Sequence, residues 1–280
     1  MLSSLTSGVS GLENFQQEMD VIGNNIANIN TTGYKAATVN FADAFSNTLR
    51  SPSGGSSTTS GADSVQVGTG VTITGINNNW SQGALSADGV ASNLAVSGNG
   101  FFMVRDTVTN TDYATRAGAF TVDPQGYLVT DTGERVQGYS DAGLSTLGDI
   151  KIDNTGAPTA GLGVTGYSID GQGKVNVKLS DGSSFVRGQV LMQNFAAPQN
   201  LTNEGNNLYS NMAAAGGLST ISAAGTNGLG TIQSGAVELS NVDLSGEMAN
   251  LITAQRAFEA NSKIITASNE VLQTVVNMIR

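Results

Sequence analysis

Residues 241–280 read NVDLSGEMANLITAQRAFEANSKIITASNEVLQTVVNMIR. Within them Leu244, Leu251, Phe258, Ile265, Leu272 and Ile279 recur at every seventh residue. An unbroken seven-residue apolar period predicts one long helix that supercoils against a partner helix. At ~1.5 Å per residue the run spans roughly 54 Å, more than a small globular core needs. Asp243 is the candidate N-cap, Glu247 suits the positive helix end and Arg280 the negative one. Beside the stripe stand Met248, Gln255, Ser262, Asn269 and Val276, a mixed second row that would weaken a seam while setting its register. Length, period and terminal placement favour packing between subunits over an ordinary amphipathic helix on a domain.

The first thirty residues mirror this pattern. Leu5, Leu12, Met19 and Ile26 are again seven apart, with Phe15, Ile22 and Ile29 as a second row. Gly8, Gly11 and Gly23 interrupt the helix, each at a cost of about 1 kcal/mol against alanine. Such a helix is marginal alone and needs packing to form. It is expected to end in the Asn-Thr-Thr-Gly turn at 30–33, with Gly33 left-handed, and to pair with the C-terminal helix.

Between the helices the period changes. Residues 34–49 suggest an extended segment followed by a short helix. The Ser-, Gly- and Thr-rich run at 51–61 has the composition of a flexible linker. From there to about Asn194, alternation at Val65, Val67, Val71 and Ile73, and at Val175, Val177 and Leu179, predicts short strands. Phe101 to Val104 reads as a buried strand, and Asp123-Pro-Gln-Gly126 as a type I turn. The expected fold is α+β. Terminal helical segments (1–50 and 236–280) pair as a coiled-coil-like stalk, 51–64 is a linker, 65–194 an all-β module and 195–235 an irregular return. Limited proteolysis is expected to leave a core of about Tyr34 to Gly235.

Composition narrows the chemistry. The chain of 280 residues has no cysteine and no histidine, which excludes disulfides, thiol nucleophiles and histidine-based catalysis. A formal charge of −10 argues against a nucleic-acid partner. No apolar run of membrane-spanning length occurs, and the start lacks the pattern of a cleaved signal peptide. The 36 glycines among few charged residues point to many tight turns. Gly161-Leu-Gly-Val-Thr-Gly166 has the letters of a dinucleotide motif but leads into a strand-like Tyr167-Ser-Ile169, so it is a turn. Asp123, Asp131, Asp170 and Asp181 stand beside Gly or Pro in turn spacing rather than as calcium ligands or paired catalytic acids. Glu259 and Lys263 have the favourable i,i+4 spacing for an ion pair. No catalytic, metal or cofactor site is expected.

Three stretches then resemble one family. Residues 23–35, GNNIANINTTGYK, resemble the N-terminal signature of the axial proteins of the bacterial flagellum, the rod and hook proteins; Asn24, Asn25, Asn28, Asn30 and Gly33 belong to it. Residues 93–102 and 115–120, NLAVSGNGFF and TRAGAF, resemble motifs of that family's β-rich outer domain. Residues 240–245 and 254–263 resemble its C-terminal helix, through Asn241, Asp243, Gln255 and Arg256. Within the family, 127–139, 241–245 and 258–262 look more like the hook protein than the distal rod, although only a short stretch near 141–166 replaces the large extra domain of many hook proteins. The resemblance implies a tubular helical homopolymer with terminal helices lining the inner tube and β-domains outside. It implies a hook subunit transmitting motor torque to the filament; a distal rod subunit, or outside this resemblance a non-polymerising surface binding module, is the alternative. Its implied partners are further copies of itself, flagellar rod, hook-cap and hook–filament junction proteins, and the type III export apparatus. The implied location is the flagellar hook or basal body, outside the cell after export without a cleaved signal peptide, with no membrane insertion.

Overall fold

A computed structural model describes residues 2–52, 54, 60–61, 63–159, 161–217 and 221–279. The chain divides into two compact units. One comprises Met1–Ala27, Ala36–Asn79 and Val242–Arg280, the other Asn28–Lys35 and Trp80–Asn241. Helices and a sheet-rich middle make the fold α+β.

The first unit holds both helices, α1 (Leu2–Ala27) and α2 (Leu244–Ile279). Asp243 caps α2: its carboxylate accepts the Ser245 N–H at 3.0 Å. Helix α1 stops at Ala27, earlier than its expected end in the turn at 30–33. Residues 34–49 form no short helix. They supply strands β1 (Ala37–Asp43) and β2 (Ser46–Arg50), which pair antiparallel with β4 (Val71–Asn78) and β3 (Val65–Gly68). The reason lies in composition: Thr38, Val39, Phe41 and Phe45 are β-branched or aromatic, and a partner strand meets them across the loop. The strands on either side of the expected linker, β2 and β3, pair with each other, and Ser53, residues 55–59 and Ala62 within it lie outside the described residues. Residues 65–78, expected in the β module, belong to the helical unit.

The second unit is built on an antiparallel sheet. Its strands run in the order Val164–Ile169, Lys174–Leu179, Ser184–Gln193, Arg135–Tyr139, β7 (Phe101–Arg105), β8 (Asp112–Thr115), Leu208–Ser210 and Thr202–Gly205. Preceding these in the chain, β5 (Leu85–Ala87) pairs with Ala236–Glu238, and β6 (Leu94–Ser97) with Thr231–Ser234. The unbroken apolar run of β7 is explained by burial on both faces. Phe102 and Val104 enter one core with Leu94, Phe120 and Val175; Phe101 and Met103 enter another with Phe195, Leu201 and Tyr209. Residues 195–235 are thus not irregular. Their strands complete the sheets, and Leu208, Tyr209, Leu229 and Ile232 are buried. Asn206 and Asn207, both left-handed at φ 52° and 57°, make the tight turn that lets Thr202–Gly205 pair with Leu208–Ser210. The aspartates act as turn residues: Asp123 accepts the Gly126 N–H at its carbonyl and the Tyr127 N–H at its carboxylate. No described helix is long and apolar enough to cross a membrane.

Candidate assembly surface and the motif residues

In the helical unit the glycines of α1 mark where α2 passes closest. A Cβ at Gly8 would lie 3.1 Å from Ile265 Cγ1, and one at Gly11 would lie 2.6 Å from Asn261 Nδ2. Near the other end of α1, the Asn25 amide donates to Glu247 Oε1 at 3.1 Å. Residue numbers rise along one helix as they fall along the other, so the pair is antiparallel. The glycines expected to weaken α1 are contact residues at two of three positions; a Cβ at Gly23 meets nothing within 4 Å. Burial deepens along Gly8, Gly11, Ile22 and Asn25, whereas Leu5, Leu12, Met19 and Ile26 are half-buried at its edge. On α2, Leu251, Phe258, Ile265 and Leu272 are half-buried, Leu244 is exposed, and the side chain of Ile279 lies outside the described residues. Of the expected second row at 248, 255, 262, 269 and 276, Ser262 is half-buried and the others are exposed, so another row serves the seam. It is Glu247, Ala254, Asn261, Ser268 and Val275, all buried or half-buried, with Asn261 against Gly11 of α1.

Asn25 also ties the ribbon to α1. Its amide donates to the Ala37 carbonyl at 2.8 Å, and its Oδ1 accepts the Ala37 N–H at 2.9 Å. Asn14 donates to the Val71 carbonyl at 2.9 Å, and the Phe15 and Phe41 rings stand 5.8 Å apart. A buried asparagine with these partners is a local fastener, because leaving its amide unpaired would cost about 1–3 kcal/mol.

Of the remaining N-terminal motif residues, Asn24 lies in α1, and Asn28, Asn30 and Gly33 belong to the β unit. Gly33 is left-handed at φ 71° and donates its N–H to the Glu238 carbonyl at 2.8 Å; a Cβ there would stand 2.6 Å from the Ala117 nitrogen. Only glycine satisfies both demands. Asn28 accepts the Thr31 hydroxyl at 3.0 Å, and Asn241 donates to the Ser81 carbonyl at 3.1 Å. Asn24 and Asn30 are exposed.

Between these stretches sits a buried ionic knot. Lys35 Nζ lies 2.6 Å from Glu238 Oε1, and Arg116 Nη1 lies 3.3 Å from Glu238 Oε2. Glu238 Oε1 also accepts the Gly83 N–H at 2.9 Å, and Lys35 donates to the Ser81 carbonyl at 2.8 Å. Arg116 stacks 5.2 Å over Phe101, while its Nε has no partner among the described residues. Burial pulls both Lys35 and Arg116 below their ordinary basic range, against the opposing pull of Glu238. Burial likewise pushes the Tyr209 hydroxyl up to about 12. Sequence reasoning passed over Glu238 and Arg116 as site residues. One signal was available: Glu238 is the lone charged residue between Glu204 and Asp243.

Helix α2 keeps much apolar surface in water. Met248, Ile252, Ile264, Val271, Val276 and Met278 are exposed apolar residues, Met278 by 77%. Gln255 and Arg256 are exposed as well. The expected Glu259–Lys263 ion pair does not form among the described residues. Nor does any described group of three or more acidic side chains come together as a metal site.

Three family models match this chain. They are described as the flagella basal body rod protein (residues 5–35), the flagellar hook protein FlgE/F/G D1 domain (95–177) and the flagellar basal body rod FlgEFG protein C-terminal (233–278). The chain belongs to the rod/hook family of flagellar axial proteins, structural components of the motility apparatus. Among its relatives, the flagellar basal-body rod protein FlgG of Bacillus subtilis (strain 168) is 41% identical over 280 residues, all of both chains. The FlgG of Buchnera aphidicola subsp. Baizongia pistaciae (strain Bp) is 35% identical over 277 residues, 98% of each. The flagellar hook protein FlgE of Treponema pallidum (strain Nichols) is 41% identical over 174 residues, 61% of this chain but 36% of that protein.

Proposed function

We propose that this chain is a subunit of the distal rod of the flagellar basal body, polymerising through its terminal helices into a tube that carries torque outward from the motor. The end-to-end match to a rod protein of equal extent carries this reading. The hook relative is met over only part of its length, which weighs against the hook assignment expected from 127–139, 241–245 and 258–262. The exposed apolar residues of α2 support polymerisation: a folded monomer gains nothing from leaving them in water, whereas neighbouring copies would cover them. Repetition of one heterologous contact without closure gives an open helical tube. Its partners would be further copies of itself and the proteins before and after it along the axis, reached after type III export. Electron microscopy of basal bodies from a deletion strain tests the choice. The rod reading expects shortened rods with no hooks; complete rods lacking only hooks would overturn it.

A further inference from the structure

The charges of the two helices are unequal in a way the single chain does not resolve. Helix α1 carries Glu13, Glu18 and Asp20 and no basic residue. Among the described residues of α2 the bases are Arg256 and Lys263. Glu13 and Asp20 are seven residues apart and exposed; so are Arg256 and Lys263. None of the four takes part in an ion pair among the described residues. At about 100° per residue, Glu13 and Asp20 stand roughly half a turn from the Gly11, Ile22 and Asn25 seam. Arg256 and Lys263 stand about as far from Ala254, Asn261 and Ile265. Each couple therefore faces away from its own chain's partner helix, so the acids of α1 have no route to the bases of α2 within one subunit.

We propose that Glu13 and Asp20 of one copy pair with Arg256 and Lys263 of a neighbouring copy, setting the register in which subunits join. This rests on the polymer reading above and names the contact it uses. Equal spacing is the first support: two acids and two bases each roughly 10 Å apart along a helix can engage together. The second is the apolar setting. Ile252 lies exposed one turn before Arg256, as Val9 does one turn before Glu13, so closure of the contact removes water from around these charges. Apolar contact supplies adhesion and sets no register by itself, whereas mispaired like charges cost several kcal/mol, enough to reject wrong registers.

Sedimentation and negative-stain microscopy of the full-length chain, concentrated until the unaltered protein forms tubes, test the proposal. Glu13→Lys/Asp20→Lys and Arg256→Glu/Lys263→Glu should each raise the critical concentration by at least about tenfold. The dilute helicity of both should be unchanged, because all four residues are exposed. The variant with all four substitutions should return to within a few-fold of the unaltered value. Double variants that assemble normally, or a fourfold variant as impaired as the doubles, would overturn the charge register and leave the tube standing. An unaltered chain that stays monomeric would remove the polymer reading, and this contact with it.

Discussion

The two units solve the same problem, apolar surface in water, to different extents. The β unit buries Leu94, Phe102, Val104, Leu128, Val136, Val175 and Val190 completely or nearly so. In the helical unit the only buried apolar side chains in the described parts of α1 and α2 are Ile22 and Ala254, and α2 and the ribbon hold Met248, Ile252, Phe45 and Leu49 in solvent. Phe45 is 88% exposed on a two-stranded ribbon, an arrangement that is marginal by itself. The β unit is finished as a monomer; the helical unit has the surface of something completed by neighbours.

The contrast is broken most strongly at Glu238. Replacing it with alanine leaves Lys35 and Arg116 buried without their carboxylate, a loss of about 3–5 kcal/mol. The expected result is a large drop in the thermal midpoint of the β unit by near-ultraviolet circular dichroism. A shift of a degree or two would show that the knot is not what holds Lys35, Arg116 and Glu238 together in the β unit. The same knot moves the expected protease-resistant core of Tyr34 to Gly235, since a fragment ending at Gly235 lacks Glu238 and one starting at Tyr34 lacks the Gly33 contact. A core near 28–241 is the outcome to look for by mass spectrometry.

The next effect separates intrachain from interchain burial. Leu251 is already half-buried in the single subunit, so Leu251→Asp would disturb the monomer as well as any polymer. Ile252, exposed by 50%, is the cleaner probe. Ile252→Asp should leave monomer helicity and melting within about 0.5 kcal/mol of the unaltered chain, as surface changes do, while abolishing tubes. Normal tubes from this variant would mean that α2's outer face is not covered on assembly.

Smaller effects distinguish the glycines. Gly23→Ala, with open space around it, should stabilise α1 by about 0.5–1 kcal/mol. Gly11→Ala brings a Cβ against Asn261 and should cost about 1–3 kcal/mol by overpacking, less its helix-propensity gain. Far-ultraviolet melts of the two should therefore move in opposite directions. The least effect belongs to Asp141, whose carboxyl is held down to about 2 by N–H donation from Thr146 and Ser145. Its contribution to the loop is complete above its ordinary value of 3.8 and lost as pH falls through about 2. An NMR titration of the Asp141 carboxyl checks this, and a midpoint near 3.8 would contradict it.

Local pattern determined the helices, the strand-rich middle, the aspartate turns and the double burial of β7, because periods of 3.6 and 2 and turn chemistry are written in neighbouring residues. Asp243 was legible as a cap for the same reason. Tertiary structure alone decided what depends on residues far apart in the chain. Residues 34–49 carry an ambiguous apolar pattern, and only the strand supplied by 65–78 makes them a ribbon. The inner row of the helix seam rests on Gly8 and Gly11, residues with no hydrophobic signal, whose value is the close approach they permit to Asn261 and Ile265. The ionic knot joins residues 203 and 122 positions apart. Each of its members, read alone, is an ordinary surface charge. Folding removes water from all three at once, and only then must one carboxylate answer two cations.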